Sequence, residues 1–145
     1  MNGYGKPSAY QATQVSTANK VQLVVLLYDG AIRFINEAKE KSSAGDAAGK
    51  SIAISKAQRI IHELTNALDM RRGGEVAANL SQVYLRITRN LINANVNRKM
   101  EELDESLESL RNLRGAWEQI MRAPNTGDGP QPATQIVGGK IAISM

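Results

Sequence analysis

Residues 23–35, LVVLLYDGAIRFI, are the segment that most constrains the fold of this chain. Because an α-helix advances about 100° per residue, apolar residues spaced by three and four fall on one face. One inner stripe has this spacing, and an outer row and a further flank of apolar residues lie beside it. The stripe is Val24, Leu27, Tyr28, Ala31, Ile35 and Ala38, the outer row is Leu23, Leu26, Gly30 and Phe34, and the flank is Val21, Val25 and Ile32. The segment predicts a helix that is either enclosed by its own chain or open to a foreign one.

Composition favours a single helical domain. The chain has 145 residues, enough for one domain with a proper core. With one Trp, one Phe and four Tyr, aliphatic residues and alanine must supply most of the packing. The chain has no Cys, which excludes disulfides, a thiol nucleophile and thiolate metal ligands. No segment alternates with the period of two that a half-buried strand requires.

Polar and glycine-containing breaks predict four helices. The expected fold is an all-α, antiparallel four-helix bundle over residues 17–123, preceded by a leader or lid at 1–16 and followed by a flexible tail at 124–145. The first helix is expected to run from a Ser16 or Thr17 cap to about Lys41, and the second from an Asp46 cap to Gly73-Gly74. The third is expected from Glu75 to a turn over residues 93–97, and the fourth from an Asn97 cap to Pro124.

The net charge of +4 is segregated along the chain. Basic residues predominate over 71–99 and acidic residues over 100–119. Two antiparallel helices that match charge across their exposed edges explain this pattern. Nucleic-acid binding is the alternative, but neither a helix-turn-helix spacing nor an aromatic platform accompanies the arginines.

No residue pattern predicts catalysis, a metal or a cofactor. His62 is the one histidine and is expected to be an ordinary boundary side chain. The carboxylates that share a face of the fourth helix are better explained as a solvated, arginine-paired face than as a metal site. The N-terminus lacks the apolar core of a secretory signal, and the longest apolar run is far shorter than a membrane span.

Gly30 stands inside the strongest predicted helix, where glycine costs about 1 kcal/mol relative to alanine. Two explanations fit: close packing between helices of the bundle, or a notch that a foreign segment approaches. Exposed apolar surface of the extent offered by Leu23, Leu26 and Phe34 marks interaction sites, which favours a partner.

Five motifs in order resemble the flagellar secretion chaperone FliS family over roughly residues 4–122. They are Leu27–Ile35 (LYDGAIRFI), Lys56–Leu64 (KAQRIIHEL), Gly73–Leu80 (GGEVAANL), Leu91–Asn95 (LINAN) and Leu113–Trp117 (LRGAW). The resemblance implies a cytoplasmic helical bundle that binds the disordered C-terminal segment of flagellin. It also implies that the bundle prevents premature polymerisation until export through the flagellar type III apparatus, with the export gate as a further partner.

From the residues and this resemblance we predict a binding module, without a cofactor, that is a monomer or weak dimer when free. Leu23, Leu26, Gly30 and Phe34 are the predicted flagellin contacts, Tyr10 the lid, and Leu85 and Ile92 a second rank of contacts. Two other classes stay open at this point: a scaffold that self-associates through the same row, and a nucleic-acid binder.

Overall fold

A computed structural model describes residues 17–122, and these fold into four α-helices. They are α1 (Thr17–Ser43), α2 (Ala47–Asn66), α3 (Met70–Val96) and α4 (Glu101–Arg122). The predicted all-α four-helix class is confirmed, and no strand occurs within this range. The predicted leader, the lid residue Tyr10 and the tail lie outside the described residues.

The helices form a ring in which each contacts two neighbours. α1 packs most extensively, against α2 and α4, and α3 packs against the same two helices from the opposite corner. Two ion pairs show the relative direction of α1 and α4. Lys39, late in α1, pairs with Asp104, early in α4, whereas Asp29, earlier in α1, pairs with Arg114, later in α4. α1 and α4 are therefore antiparallel, and α1 and α3 face each other across the core.

Aspartate caps begin two of the helices. The Asp46 carboxylate accepts a hydrogen bond from Gly49 N at 2.8 Å, which confirms its predicted capping role for α2. The Asp69 carboxylate accepts from the backbone N–H groups of Arg71 and Arg72 at 3.2 and 3.0 Å. Both caps satisfy donors that the first helical turn leaves without partners.

The predicted boundary between the second and third helices is wrong. α2 ends at Asn66 rather than at the glycine pair, and α3 begins after the Asp69 cap. Gly74 lies within α3 at φ 53° and ψ −128°, a conformation that glycine adopts without steric cost, and it kinks the first turn against the rest of the helix. The glycine pair thus marks a kink, and Arg71 and Arg72 belong to the start of α3 instead of the end of α2.

The predicted turn over residues 93–97 is also wrong up to Val96. α3 continues through it, and Asn97 is the C-cap of α3 instead of the cap of α4. Asparagine is a weak helix former because its side chain competes for backbone hydrogen bonds. Here the neighbouring helices engage those side chains: Asn93 Nδ2 donates to Glu102 Oε1 at 2.9 Å, and Asn95 Oδ1 accepts from Ser51 Oγ at 2.8 Å.

The core contains one polar layer that crosses its centre. The side chains of Tyr28, Tyr84 and Trp117 are fully buried. Trp117 Nε1 donates to Tyr28 Oη at 3.1 Å, and Tyr28 Oη lies 2.5 Å from Tyr84 Oη. Burial raises the pKa of the Tyr28 phenol well above its usual value and raises the pKa of Tyr84 to about 12. The layer joins α1, α3 and α4 and leaves no buried side-chain polar atom without a partner among residues 17–122.

Charge matching at the α3–α4 edge follows the predicted pattern, with Arg86 and Glu105 at 3.4 Å. The hydrogen bond from Asn90 Nδ2, and next the charge of Arg86, hold the pKa of Glu105 below its usual value. α4 also pairs with α1 through Lys39–Asp104 and Asp29–Arg114, so its charges serve both neighbours.

Candidate functional site

The structure separates the apolar surface of α1 into buried and open parts. Within the inner stripe, five side chains are completely buried and Leu27 is half-buried: the five are Val24, Tyr28, Ala31, Ile35 and Ala38. In the outer row, Leu23 is 46% exposed and Leu26 is 56% exposed. We call these two leucines the α1 patch.

The α1 patch lies at the N-terminal end of the outer row, near the end of α2. Gly30 lies against Ile60, and Lys56 Nζ lies 5.4 Å from the centroid of the Phe34 ring, which sets the antiparallel register of α1 and α2. By that register Leu26 lies level with Leu64, and Leu23 lies level with Ala67, just past the last residue of α2. α2 therefore packs against Gly30 and Phe34, whereas Leu26 is exposed beside the last turn of α2 and Leu23 is exposed just beyond it.

Gly30 is buried in the α1–α2 interface. A Cβ atom at this position would lie 2.9 Å from Ile60 Cδ1, so the space above the glycine is already occupied by α2. Of the two explanations that the sequence leaves open, helix packing fits this environment, and an open notch does not.

Phe34 is half-buried and carries cations on its ring. Arg33 Cζ lies 4.8 Å from the ring centroid, and Lys56 Nζ lies 5.4 Å from it. Such contacts stabilise by about 0.5–1 kcal/mol at exposed sites. The exposed part of Phe34 is therefore an apolar ring edge next to two positively charged side chains.

The two second-rank residues lie on another face. Leu85 and Ile92 of α3 are 45% and 46% exposed. Leu85 lines a groove of about 570 Å³ between α2 and α3, with α2 residues Ser55, Gln58, Arg59, His62 and Thr65 and α3 residues Ser81 and Thr88. We call this the α2–α3 groove. Since α1 and α3 lie on opposite sides of α2, the structure does not bring the groove and the α1 patch together on one face.

Four more apolar side chains are exposed that the sequence analysis missed: Ile52, Met70, Val96 and Met121. Met70 and Val96 were missed because the sequence analysis placed both ends of α3 wrongly. Ile52 carried a usable signal, because it falls outside the helical phase of the Ala53–Ala57–Ile61 seam that faces the core.

The described range contains no cluster of side chains that could hold a metal ion. Within residues 17–122 no three His, Asp or Glu side chains gather closely enough to hold a metal ion. His62 is exposed and its Nε2 lies 3.0 Å from Asn66 Nδ2, one turn along the same helix. In the same part of the chain, no helix is both long and apolar enough to cross a bilayer.

Comparison with known proteins links this architecture to one family. The family model described as "Flagellar protein FliS" matches residues 3–124. The flagellar secretion chaperone FliS of Salmonella typhimurium is 37% identical over 107 residues, 73% of this chain and 79% of the relative. The flagellar secretion chaperone FliS of Bacillus subtilis is 32% identical over 116 residues, 80% of this chain and 86% of the relative. The flagellar secretion chaperone FliSB of Pseudomonas aeruginosa is 36% identical over 107 residues, 74% of this chain and 85% of the relative.

Proposed function

Because this chain belongs to the FliS family of flagellar secretion chaperones, we propose that it binds the C-terminal segment of flagellin and keeps it from polymerising before export. Its coarse role is that of an export chaperone, which is not an enzyme class. The proposal adds the client, the type III flagellar apparatus as the route, the export gate as a second partner and the cytoplasm as the location.

The observation that carries the proposal is the α1 patch. Leu23 and Leu26 are roughly half exposed on a helix whose inner stripe is buried except for the half-buried Leu27. Leaving two leucines in water costs free energy that a partner recovers by covering them, about 25 cal/mol per Å² of apolar surface. A client that orders on binding needs a large interface, since ordering costs a few kcal/mol. We therefore assign Leu85 and Ile92 to a second contact region for the same client.

The proposed contacts now differ in rank. Leu23 and Leu26 come first, the exposed edge of Phe34 next, and Leu85 and Ile92 form the second region. Gly30 acts by letting α2 approach α1, since Ile60 occupies the space that a client atom would need. Tyr10 remains the proposed lid and lies outside the described residues.

The test is a titration of the full chain with a synthetic flagellin C-terminal peptide, followed by calorimetry. We expect Leu26→Asp to weaken peptide binding by at least about tenfold, because a charge enters an apolar contact. Asn112→Asp is the matched control: it adds the same charge at an exposed polar position of α4 that faces away from α1, and it should bind within about twofold of the parent.

Two outcomes would overturn the assignment. If Leu26→Asp binds as tightly as Asn112→Asp, the α1 patch is not the contact. If the parent chain fails to bind the peptide, flagellin's C-terminal segment is not the client. Size-exclusion chromatography of the free chain over a range of concentrations tests the proposed monomer or weak dimer, and a persistent dimer that is lost in Leu26→Asp favours a self-associating scaffold instead.

A further inference from the structure

The sequence that follows α4 divides into a proline-rich stretch and an apolar one. Residues 123–135 contain three prolines and two glycines, no apolar side chain larger than alanine, and Asp128 as their single charge. Residues 136–145, IVGGKIAISM, which we call the apolar tail, have Lys140 as their single charge. Five apolar side chains larger than alanine stand among these ten residues: Ile136, Val137, Ile141, Ile143 and Met145. The family match ends at residue 124, so the apolar tail is a feature of this chain that the family model does not include.

The end of α4, from which this sequence continues, lies near the α1 patch. The two ion pairs between α1 and α4 set their antiparallel register, and by that register Arg122, the last residue of α4, lies level with Val21. Leu23 and Leu26 follow within five residues along α1. With helix axes about 8–10 Å apart and a rise of about 1.5 Å per residue, Leu26 is roughly 15 Å from the end of α4. Met121, in the last turn of α4, adds a further apolar side chain at this end and is 41% exposed.

The length of residues 123–135 matches this span. A flexible linker of 13 residues has a root-mean-square end-to-end distance of about 20 Å, so the apolar tail can reach Leu26. A linker that matches its span gives an effective concentration on the order of 1 mM, which exceeds that of a second molecule in dilute solution. The exposed residues Ile92 and Val96 of α3 are poorer targets, because the hydrogen bonds between α3 and α4 place them roughly 30 Å along the bundle from Arg122.

We propose that the apolar tail of this chain covers the α1 patch in the absence of a client and competes with the client for Leu23 and Leu26. Exposed leucines and a tethered aliphatic segment are complementary, because burying both removes apolar surface from water. The inference goes beyond the proposed function and rests on it only for the identity of the client that displaces the tail. The leader with Tyr10 and a second copy of the chain are the other candidate occupants, and the test separates them from the tail.

Cysteine cross-linking in the full chain tests the contact, because the parent chain has no Cys of its own. In L26C/I143C, oxidised glutathione should form a disulfide within one chain, a bond that requires Cβ atoms about 4 Å apart. Q119C/I143C is the matched control, since Gln119 is exposed on α4 and lies nearer the start of the linker than Leu26 does. A tail that only collides at random reacts at position 119 at least as fast as at position 26. A tail that covers the α1 patch should react at least about tenfold faster at position 26.

A charge placed in the apolar tail tests the competition. I141D/I143D in the full chain should bind the flagellin C-terminal peptide about threefold more tightly than the parent, because the apparent Kd falls as the fraction of chains with an open patch rises. T126D/Q131D adds the same charge to the linker and should bind within about twofold of the parent. Circular dichroism checks that each variant keeps its helices.

Three results would overturn the inference. The first is a cross-link in L26C/I143C that forms no faster than in Q119C/I143C, and the second is one that joins only two different chains, which assigns the patch to a second copy. The third is peptide binding by I141D/I143D that is no tighter than by T126D/Q131D. A Y10C/L26C cross-link that forms about tenfold faster than that of L26C/I143C would assign the patch to the leader and overturn it as well.

Failure of the proposed function gives a different pattern. If the flagellin peptide binds neither the parent nor I141D/I143D, the proposed client is wrong, while a preferential cross-link within L26C/I143C still establishes the contact between the apolar tail and the α1 patch.

Discussion

The inner stripe and the outer row of α1 are built from similar apolar residues and have opposite surroundings. Ile35 is completely buried, while Leu26, nine residues earlier on the same helix, is 56% exposed. Hydrophobicity does not distinguish them; their neighbours do. α4 covers one flank of α1 along its length, where Val21 and Val25 are buried, but α2 ends before it covers Leu23. The exposure of Leu23 thus follows from where a neighbouring helix stops.

The largest expected effect is the difference in stability between truncating an aliphatic side chain of the inner stripe and truncating one of the outer row. Ile35→Ala leaves a cavity in the core and should lower the free energy of unfolding by about 2–5 kcal/mol. Leu26→Ala removes a half-exposed side chain and should cost less than about 1 kcal/mol. Urea unfolding followed by circular dichroism measures both, and equal losses would mean that the outer row also belongs to the core.

The next largest effect is expected at alkaline pH, which should lower the free energy of unfolding through the buried tyrosines of the core. The raised pKa values of Tyr28 and Tyr84 mean that the folded state holds both phenol protons after the unfolded chain has released them. Stability is therefore unaffected below about pH 10 and falls as the pH rises above it, by about 1.4 kcal/mol per pH unit for Tyr84 alone up to its pKa of about 12.

Tyr84→Phe provides the control for this effect, because it removes one of the two titrating phenols. Between pH 10 and 12 its unfolding free energy should fall less steeply than that of the parent. Parallel slopes would show that other groups dominate the alkaline loss. Leu26→Asp, which changes only the outer row, should retain the parent slope.

The smallest effect is expected where the outer row enters the α1–α2 interface. Gly30→Ala gains up to about 1 kcal/mol of helix propensity but places a Cβ 2.9 Å from Ile60 Cδ1. Because that atom is the end of a side chain that can turn away, the two terms should nearly cancel. In an Ile60→Val background the clash is absent, and Gly30→Ala should then be stabilising. Thermal unfolding of the four chains gives the coupling, and an equal effect of Gly30→Ala in both backgrounds would contradict the packing role.

The residue pattern predicted the core better than the surface. Periodicity alone assigned Tyr28, Ala31 and Ile35 to the inner stripe, because spacing determines which residues share a face. It could not assign Gly30, since whether a second apolar row is covered depends on the length and register of α2. The α2 end was misplaced because a glycine pair is the stronger local stop signal, while the Asp69 cap that begins α3 four residues earlier is a weaker one.

The turn predicted at 93–97 failed for a related reason. The low helix propensity of Asn93 and Asn95 is a local property, and it was overridden by hydrogen bonds to Glu102 and Ser51 on other helices. The α2–α3 groove likewise depends on which side chains α2 and α3 bring together, so the sequence indicated Leu85 as an individual residue without the α2 side chains that line the groove beside it.

The buried polar layer contains an intrinsic fluorescent probe of the core. Trp117 is the single tryptophan of the chain, and its indole lies fully buried at the junction of three helices, donating to Tyr28. The wavelength at which an indole fluoresces moves to the red when water reaches it. A ligand that binds only at the surface will leave the emission wavelength unchanged. A ligand that separates the helices will shift the emission to the red, and no added dye is needed to detect it.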